Sequence, residues 1–335
     1  MITAADSEFH ERDPSIANWA ETIVLIFSVP EAGIMGNAYV LARPNLGVAA
    51  ASVIVFQGFT PKAHQIDFSD ARMHQPCPES FLDMSFPDMG YRVQTLDAPR
   101  DFRFSYDDPH GACRFDLTFK ALHEPFDTHD PAQNPLIEAG GTDMGYGDAW
   151  ANGHLDVIGH TTGTLELRGK EYVVDCYDGM DRSWGPREEW GGRAVTWVHV
   201  TYGAEFGLHL ALTMQRDERG HVVYDQLRFG YLHENGEVFG ITEAHMSAER
   251  VDMVPVSNRI WCKDTRGKEH EFHGTAVAGC PWYQFIPAYV CFHTLMRYED
   301  RQGRVGHAEH GDIFGMDWLG DRYSSHARIG AGVAG

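Results

Sequence analysis

The chain has 335 residues, 43% of them hydrophobic and 12% aromatic, and a formal net charge of −21. Length and apolar content suffice for one large or two ordinary folded units and exclude a disordered chain. The acidic balance excludes a basic phosphate-binding surface for nucleic acid and docking on an anionic membrane, and it fits a well-dispersed acidic surface.

The first residues, MITAADSEFHERD, are polar and acidic, unlike a secretory signal, and residues 1–17 read as an extension ahead of the first folded unit. Short apolar runs then fill residues 23–27, 38–42 and 48–56, with Pro-Glu-Ala-Gly and Arg-Pro-Asn-Leu-Gly breaks between them. The longest, GVAAASVIVF at 47–56, is too short to span a bilayer and suits a buried strand. Pro-rich polar stretches at 58–64, 74–89 and 123–135 read as long connections or lids. TLELRGKEYVVDCYD at 164–178 predicts a hairpin turning near Arg168-Gly169-Lys170. From Arg193 onward a meander of four or five strands is predicted, with turns at Gly203–Gly207, Asp217–Gly220 and Glu234–Gly236. Strands at this spacing, with almost no helical period, predict an all-β barrel or sandwich architecture. The boundaries expected are a β-domain over 18–185 and a second over 186–335. Six scattered cysteines with no paired spacing read as reduced, mostly buried thiols of a cytoplasmic protein.

Between the two sets of strands lies GMDRSWGPREEWGGR, residues 179–193, which reads as a corner at a domain junction. It gathers Asp181, Arg182, Trp184, Arg187 and Trp190. An aspartate against tryptophan rings in a closed cavity keeps its proton and can act as an acid; beside an arginine it stays ionised. Both readings are open: a proton donor with Trp184 and Trp190 as its wall, or an Asp181–Arg187 staple across the junction. In RAVTWVHVTY, Val195, Trp197, His199 and Thr201 share one strand face. Pairing through the GAEFG turn brings His209 near Thr201, so Trp197, His199 and His209 are expected to line a floor inside a barrel. His270 and His273 fall on opposite strand faces, as do His307 and His310 around Glu309, so no metal site is read. No nucleophile elbow, phosphate loop or dinucleotide fingerprint is present, and no cofactor is expected.

TGTLELRGKEYVVDCYDGMDRSWGPR resembles the carotenoid 1,2-hydratase (hydroxyneurosporene synthase) and AttH-like family, nearest the subgroup with an Asp-Arg/His-Ser-Trp-Gly-Pro-Arg motif. NWAETIVLIFSVPEAGIMGNAYVLARPNLG and GRVGHAEHGDIFG extend the resemblance to both ends. The resemblance implies two lipocalin-like (calycin-type) antiparallel β-domains and cofactor-free chemistry on large apolar molecules. Family members protonate a double bond and add water, or guide a cyclisation. Asp181 and Trp184 match the motif's Asp and Trp. Arg182 stands where the hydratases tend to carry His, and arginine does not shuttle protons at neutral pH.

The residues expected to do chemistry are therefore Asp181, His199 and Glu21. Those expected to contact substrate are Trp184, Arg182, Trp197, His209, Trp19 and Glu309. Arg182 is expected to turn away from Asp181 toward Glu188 or Glu189. The activity expected is a lyase (hydratase or dehydratase) or an isomerase or cyclase. Its substrate is a terpenoid-, steroid- or phenylpropanoid-like hydrophobic small molecule. The alternatives are a non-catalytic carrier of such a molecule and a pericyclic cyclase relying on cavity shape.

Overall fold

The computed structural model describes residues 1–60, 62–137, 152–187, 194–283 and 289–320, with only the backbone of Trp282 and Tyr283. Apart from short 3-10 turns and one turn of helix near residue 318, it is antiparallel β throughout. The first strands are β1 (Trp19–Val29), β2 (Ile34–Arg43), β3 (Val48–Gln57), β4 (Phe68–Pro76), β5 (Asp83–Phe86) and β6 (Tyr91–Asp97). They continue as β7 (Asp101–Asp107), β8 (Cys113–Ala121), β9 (Phe126–Asp127), β10 (Gly153–Leu167) and β11 (Lys170–Pro186). Together these form one sheet in the order β4-β3-β2-β1-β11-β10-β8-β7-β6-β5, with β9 on β10. It curls into a nearly closed barrel, and Tyr106 O–H donates across the gap to Asp70 Oδ2 at 3.0 Å.

The remaining described strands are β12 (Ala194–Tyr202), β13 (Phe206–Arg216), β14 (Val222–Glu234) and β15 (Glu237–Val251). After them come β16 (Val254–Asp264), β17 (Glu269–Tyr283), β18 (Tyr289–Glu299) and β19 (Val305–Gly315). These eight close into a barrel, β19 returning to pair with β12.

The local chemistry explains the elements. The β10–β11 hairpin turns on Arg168 and Gly169, both left-handed (φ 52° and 77°), as a two-residue turn matched to strand twist requires. The predicted meander turns all fall between strands, at 203–205, 217–221 and 235–236. The expected corner, however, is mostly strand: residues 179–186 continue β11, pairing with β1 on one side and, as far as Trp184, with β10 on the other. The two tight partners hold it extended. All six cysteines are free thiols, five buried and Cys77 half-buried. No helix of the described residues is long and apolar enough to cross a membrane.

Three of the apolar clusters among the described residues position the site. One fills the first sheet, with Ile23, Leu25, Phe27, Val40, Val55, Phe104 and Met180. Another fills the second barrel, with Val198, Val200, Leu208, Leu210 and Met296. The third lies between the two, where Val24, Ile26, Tyr39 and Phe56 meet Trp197, Ala211, Phe229, Tyr231 and Cys291. The strands of the first sheet that face the second barrel are therefore covered on both sides, which is why β1 is buried at every residue.

Candidate active site

Strand parity decides which side chains reach the inter-barrel layer, because successive residues point to opposite faces. On β1, Thr22, Val24 and Ile26 face it; on β10, His154, Asp156 and Ile158; on β11, Asp181 and Ser183. From the second barrel Trp197, His199 and His209 point outward to meet them, with His293 on β18 and Glu309 on β19. A cavity of about 80 Å³ opens here, with Tyr39, His154, Asp181, Arg187, Trp197, Tyr289, His293 and Glu309 among its walls.

Asp181, half-buried, presents its carboxyl to that cavity. Burial pushes its carboxyl up to about 7, and the neighbouring Asp156 and Glu309 push in the same direction, while His154 and Arg187 oppose them. It therefore holds its proton near neutrality. Arg187 donates through Nη1 to the Tyr39 hydroxyl at 3.1 Å, placing a cation and a phenol on the same cavity.

A chain of ionisable groups runs alongside. His154 Nε2 lies 2.9 Å from Asp156 Oδ2. Burial works against charge on His154, yet Asp156 raises it above the ordinary imidazole range. His209 is pushed down to about 3 by burial and so is neutral, and its Nδ1 lies 2.6 Å from His199 Nε2. His199 Nδ1 in turn sits 2.9 Å from Asp178 Oδ1. Burial opposes the charge on His199, but Asp178 and Glu309 raise it, while burial raises Asp178, so the pair holds a proton. The Asp178 carboxylate also accepts the backbone N–H of Gly179 (2.8 Å) and of Glu309 (3.0 Å), pinning β19 to β11. The chain ends with His293 Nδ1 2.6 Å from Glu309 Oε1. Among the described residues no group of three or more His, Cys, Asp or Glu side chains is placed to hold a metal.

The residues singled out from the sequence divide by face. Asp181, His199, His209, Trp197 and Glu309 converge between the barrels. The histidine–tryptophan floor lies on the outer face of the second barrel, not inside it, because the interior is filled by the alternate residues Val198, Val200 and Leu208. His209 pairs with His199, and Gly207 takes the place opposite Thr201, because the turn is tighter than the sequence reading allowed.

Glu21, Trp19, Arg182 and Trp184 lie on the opposite face, in or against the first sheet's interior, and do not line the cavity. Arg182 does turn away from Asp181, but toward Glu21: its Nη2 donates to Glu21 Oε2 at 2.9 Å. It also donates to the Asp6 and Glu8 carbonyls and stacks 3.6 Å over Phe81. Trp19 Nε1 donates to Glu21 Oε1 at 3.2 Å, and the Trp184 ring stacks on His10. This cluster ties residues 1–17 to the end of the first sheet. Glu188, Glu189 and Trp190 lie outside the described residues.

Sequence reasoning passed over His154, Asp156, Asp178 and His293. The alternation in GHLDVIG carried a signal for the first two, since His154 and Asp156 share a face with Ile158. Asp178 had none: it has the parity of Met180 yet bends back over Gly179 to reach His199 and Glu309.

Two solved structures share this architecture. Kievitone hydratase from Nectria haematococca matches at 10% identity over 91% of this chain and 90% of its own, with a TM-score of 0.53. An AttH-like protein from Nitrosomonas europaea matches at 9% identity over 89% and 92%, with a TM-score of 0.58. At these identities the likeness is one of fold. No curated protein sequence matches the chain. The model of the family described as a domain of unknown function, DUF7064, matches residues 3–311, and the chain belongs to that family.

Proposed function

We propose that the chain is a cofactor-independent acid–base enzyme of the hydratase or dehydratase type, working in the cavity between its two β-barrels. The observation that carries this reading is Asp181, a half-buried carboxyl with its pKa raised to about 7 on the wall of a cavity that Glu309 and His293 also line. A protonated acid and a second, histidine-supported carboxyl on one cavity are what adding or removing water across a double bond needs. Asp181 gives its proton to an alkene carbon, and Glu309 takes the proton of the incoming water; dehydration runs the same steps backward. Trp197 offers its ring face to the cationic carbon between them.

A cavity of about 80 Å³ has room for roughly five to eight waters. It fits the reacting end of an apolar molecule of the terpenoid, steroid or phenylpropanoid kind. The fold shared with a kievitone hydratase and the motif resemblance to the carotenoid hydratases support the same reaction class. A purely non-catalytic carrier of apolar ligands is less well supported, because a carrier has no use for the seven buried carboxyl and imidazole groups clustered beside Asp181.

The test is to incubate wild type and Asp181→Asn with a panel of alkene-bearing terpenoids, steroids and phenylpropanoids in heavy-oxygen water. Heavy oxygen in the product of wild type, reduced at least about 10²-fold in the variant, supports the reading. Tight binding of panel members with no turnover by either protein would establish the carrier instead.

A further inference from the structure

Beside the main cavity lies a second, much smaller pocket of about 10 Å³. Four ionisable side chains from four strands, Asp156, Asp181, His199 and Glu309, share its wall with Gly179, Trp197 and three apolar side chains of β1 and β11, around a space the size of one water. Asp181, Trp197 and Glu309 are walls of both spaces, which places the small pocket against the large one. A buried water needs about 10–15 Å³ and two to four polar partners; the volume reaches that lower bound, and the carboxyls of the wall are the partners on offer.

On the pocket's wall Glu309 Oε2 lies 3.8 Å from His199 Nδ1, too far for a direct hydrogen bond, and that nitrogen faces Asp178 Oδ1 at 2.9 Å instead. The pocket also depends on a missing side chain. A Cβ on Gly179 would fall 2.3 Å from His199 Cε1 and 2.4 Å from its Nε2, so only glycine lets the imidazole lie where it does.

We propose that this small pocket is a subsite for a single water, the water that adds to the substrate, held by Glu309, Asp156 and Asp181. The proposal rests on the hydratase reading for its role in catalysis, though not for the presence of the water. In the forward step the Asp181 O–H bond breaks and a C–H bond forms at one alkene carbon. The other carbon becomes cationic, and the water oxygen bonds to it. The water's second proton passes to the Glu309 carboxylate and returns to the Asp181 carboxylate through the next water to enter. The sum is alkene plus water giving alcohol, with both carboxyls restored.

The first measurement is a high-resolution crystal structure of the wild-type chain. One ordered water within hydrogen-bond reach of Glu309 and Asp181 is expected; a pocket without density overturns the proposal. The second is Gly179→Ala, checked for folding by its melting transition, on the substrate that wild type hydrates. Displacing His199 into the pocket should lower hydration about 10²-fold or more while leaving substrate affinity within a few-fold. Unchanged hydration by a folded Gly179→Ala overturns the catalytic role. An ordered water in a wild-type protein that turns over no alkene leaves the subsite standing and removes the hydratase reading. Hydration from a dry pocket removes the subsite alone.

Discussion

Replacing Asp181 by asparagine should make the protein more stable at alkaline pH while removing its acid. In the folded protein the carboxyl titrates at about 7, against about 3.9 for an ordinary aspartate. A carboxyl raised on folding contributes stability that is fully present below about pH 4, where both states are protonated. Between about pH 4 and 7 the unfolded chain ionises and the folded one does not, so stability falls with rising pH; above pH 7 the loss is complete. At about 1.36 kcal/mol per unit, the whole loss is about 4 kcal/mol, of which about 2.5 kcal/mol falls between pH 5 and pH 8. Asparagine keeps the shape and cannot ionise, so Asp181→Asn escapes the loss. Urea unfolding of both proteins at pH 5 and pH 8 measures it: the stability difference should shift by about 2.5 kcal/mol in favour of the variant on going to pH 8. Comparing the two at each pH cancels the titration of groups uncoupled to Asp181. An identical pH dependence in both proteins would refute the reasoning, since it would mean that Asp181 is ionised throughout and serves as an ion-pair staple with Arg187 or His154.

Turnover by the wild type should fall as pH rises through about 7, where Asp181 loses its proton; a rate that rises through this range contradicts the acid role. Glu21→Gln leaves the buried Arg182 guanidinium without its carboxylate and should cost about 3–5 kcal/mol in denaturant unfolding, with the Asp181 titration unmoved. Trp184→Ala should cost a similar ~3–5 kcal/mol through lost core packing, while the affinity of a cavity ligand, read by calorimetry, stays within a few-fold in the folded fraction.

The strands were legible because their turns carry unambiguous chemistry: Arg168-Gly169 and Asn235-Gly236 each supply two left-handed residues between alternating runs. The faces were harder to read. In strands buried on both sides, alternation of apolar and polar residues is weak, so β1 does not announce which of Glu21 and Thr22 meets the second barrel. Parity still carried information in the 179–186 stretch. Read as a strand, it separates Asp181 from Arg182 and Trp184; read as a corner, it lets Asp181 and Trp184 share a wall. Treating glycine and proline there as turn signals cost that distinction, since Gly185 and Pro186 sit inside paired strand. The meeting of the two barrels at Asp181 was out of reach for another reason. His154 lies on the hairpin partner of the Asp181 strand, but His293 and Glu309 come from strands more than 100 residues further along, brought to it by the packing of one barrel on the other. Nothing local to either side encodes that meeting.

The most direct test is to observe the Asp181 carboxyl itself. Carboxyl-labelled aspartate can be followed by carbon NMR across pH in wild type, with the resonance missing from Asp181→Asn serving as the assignment. A resonance that is still protonated at pH 5 and titrates near 7 is the predicted result. A carboxylate already ionised at pH 5 would contradict the account, and with it the assignment of Asp181 as the proton donor.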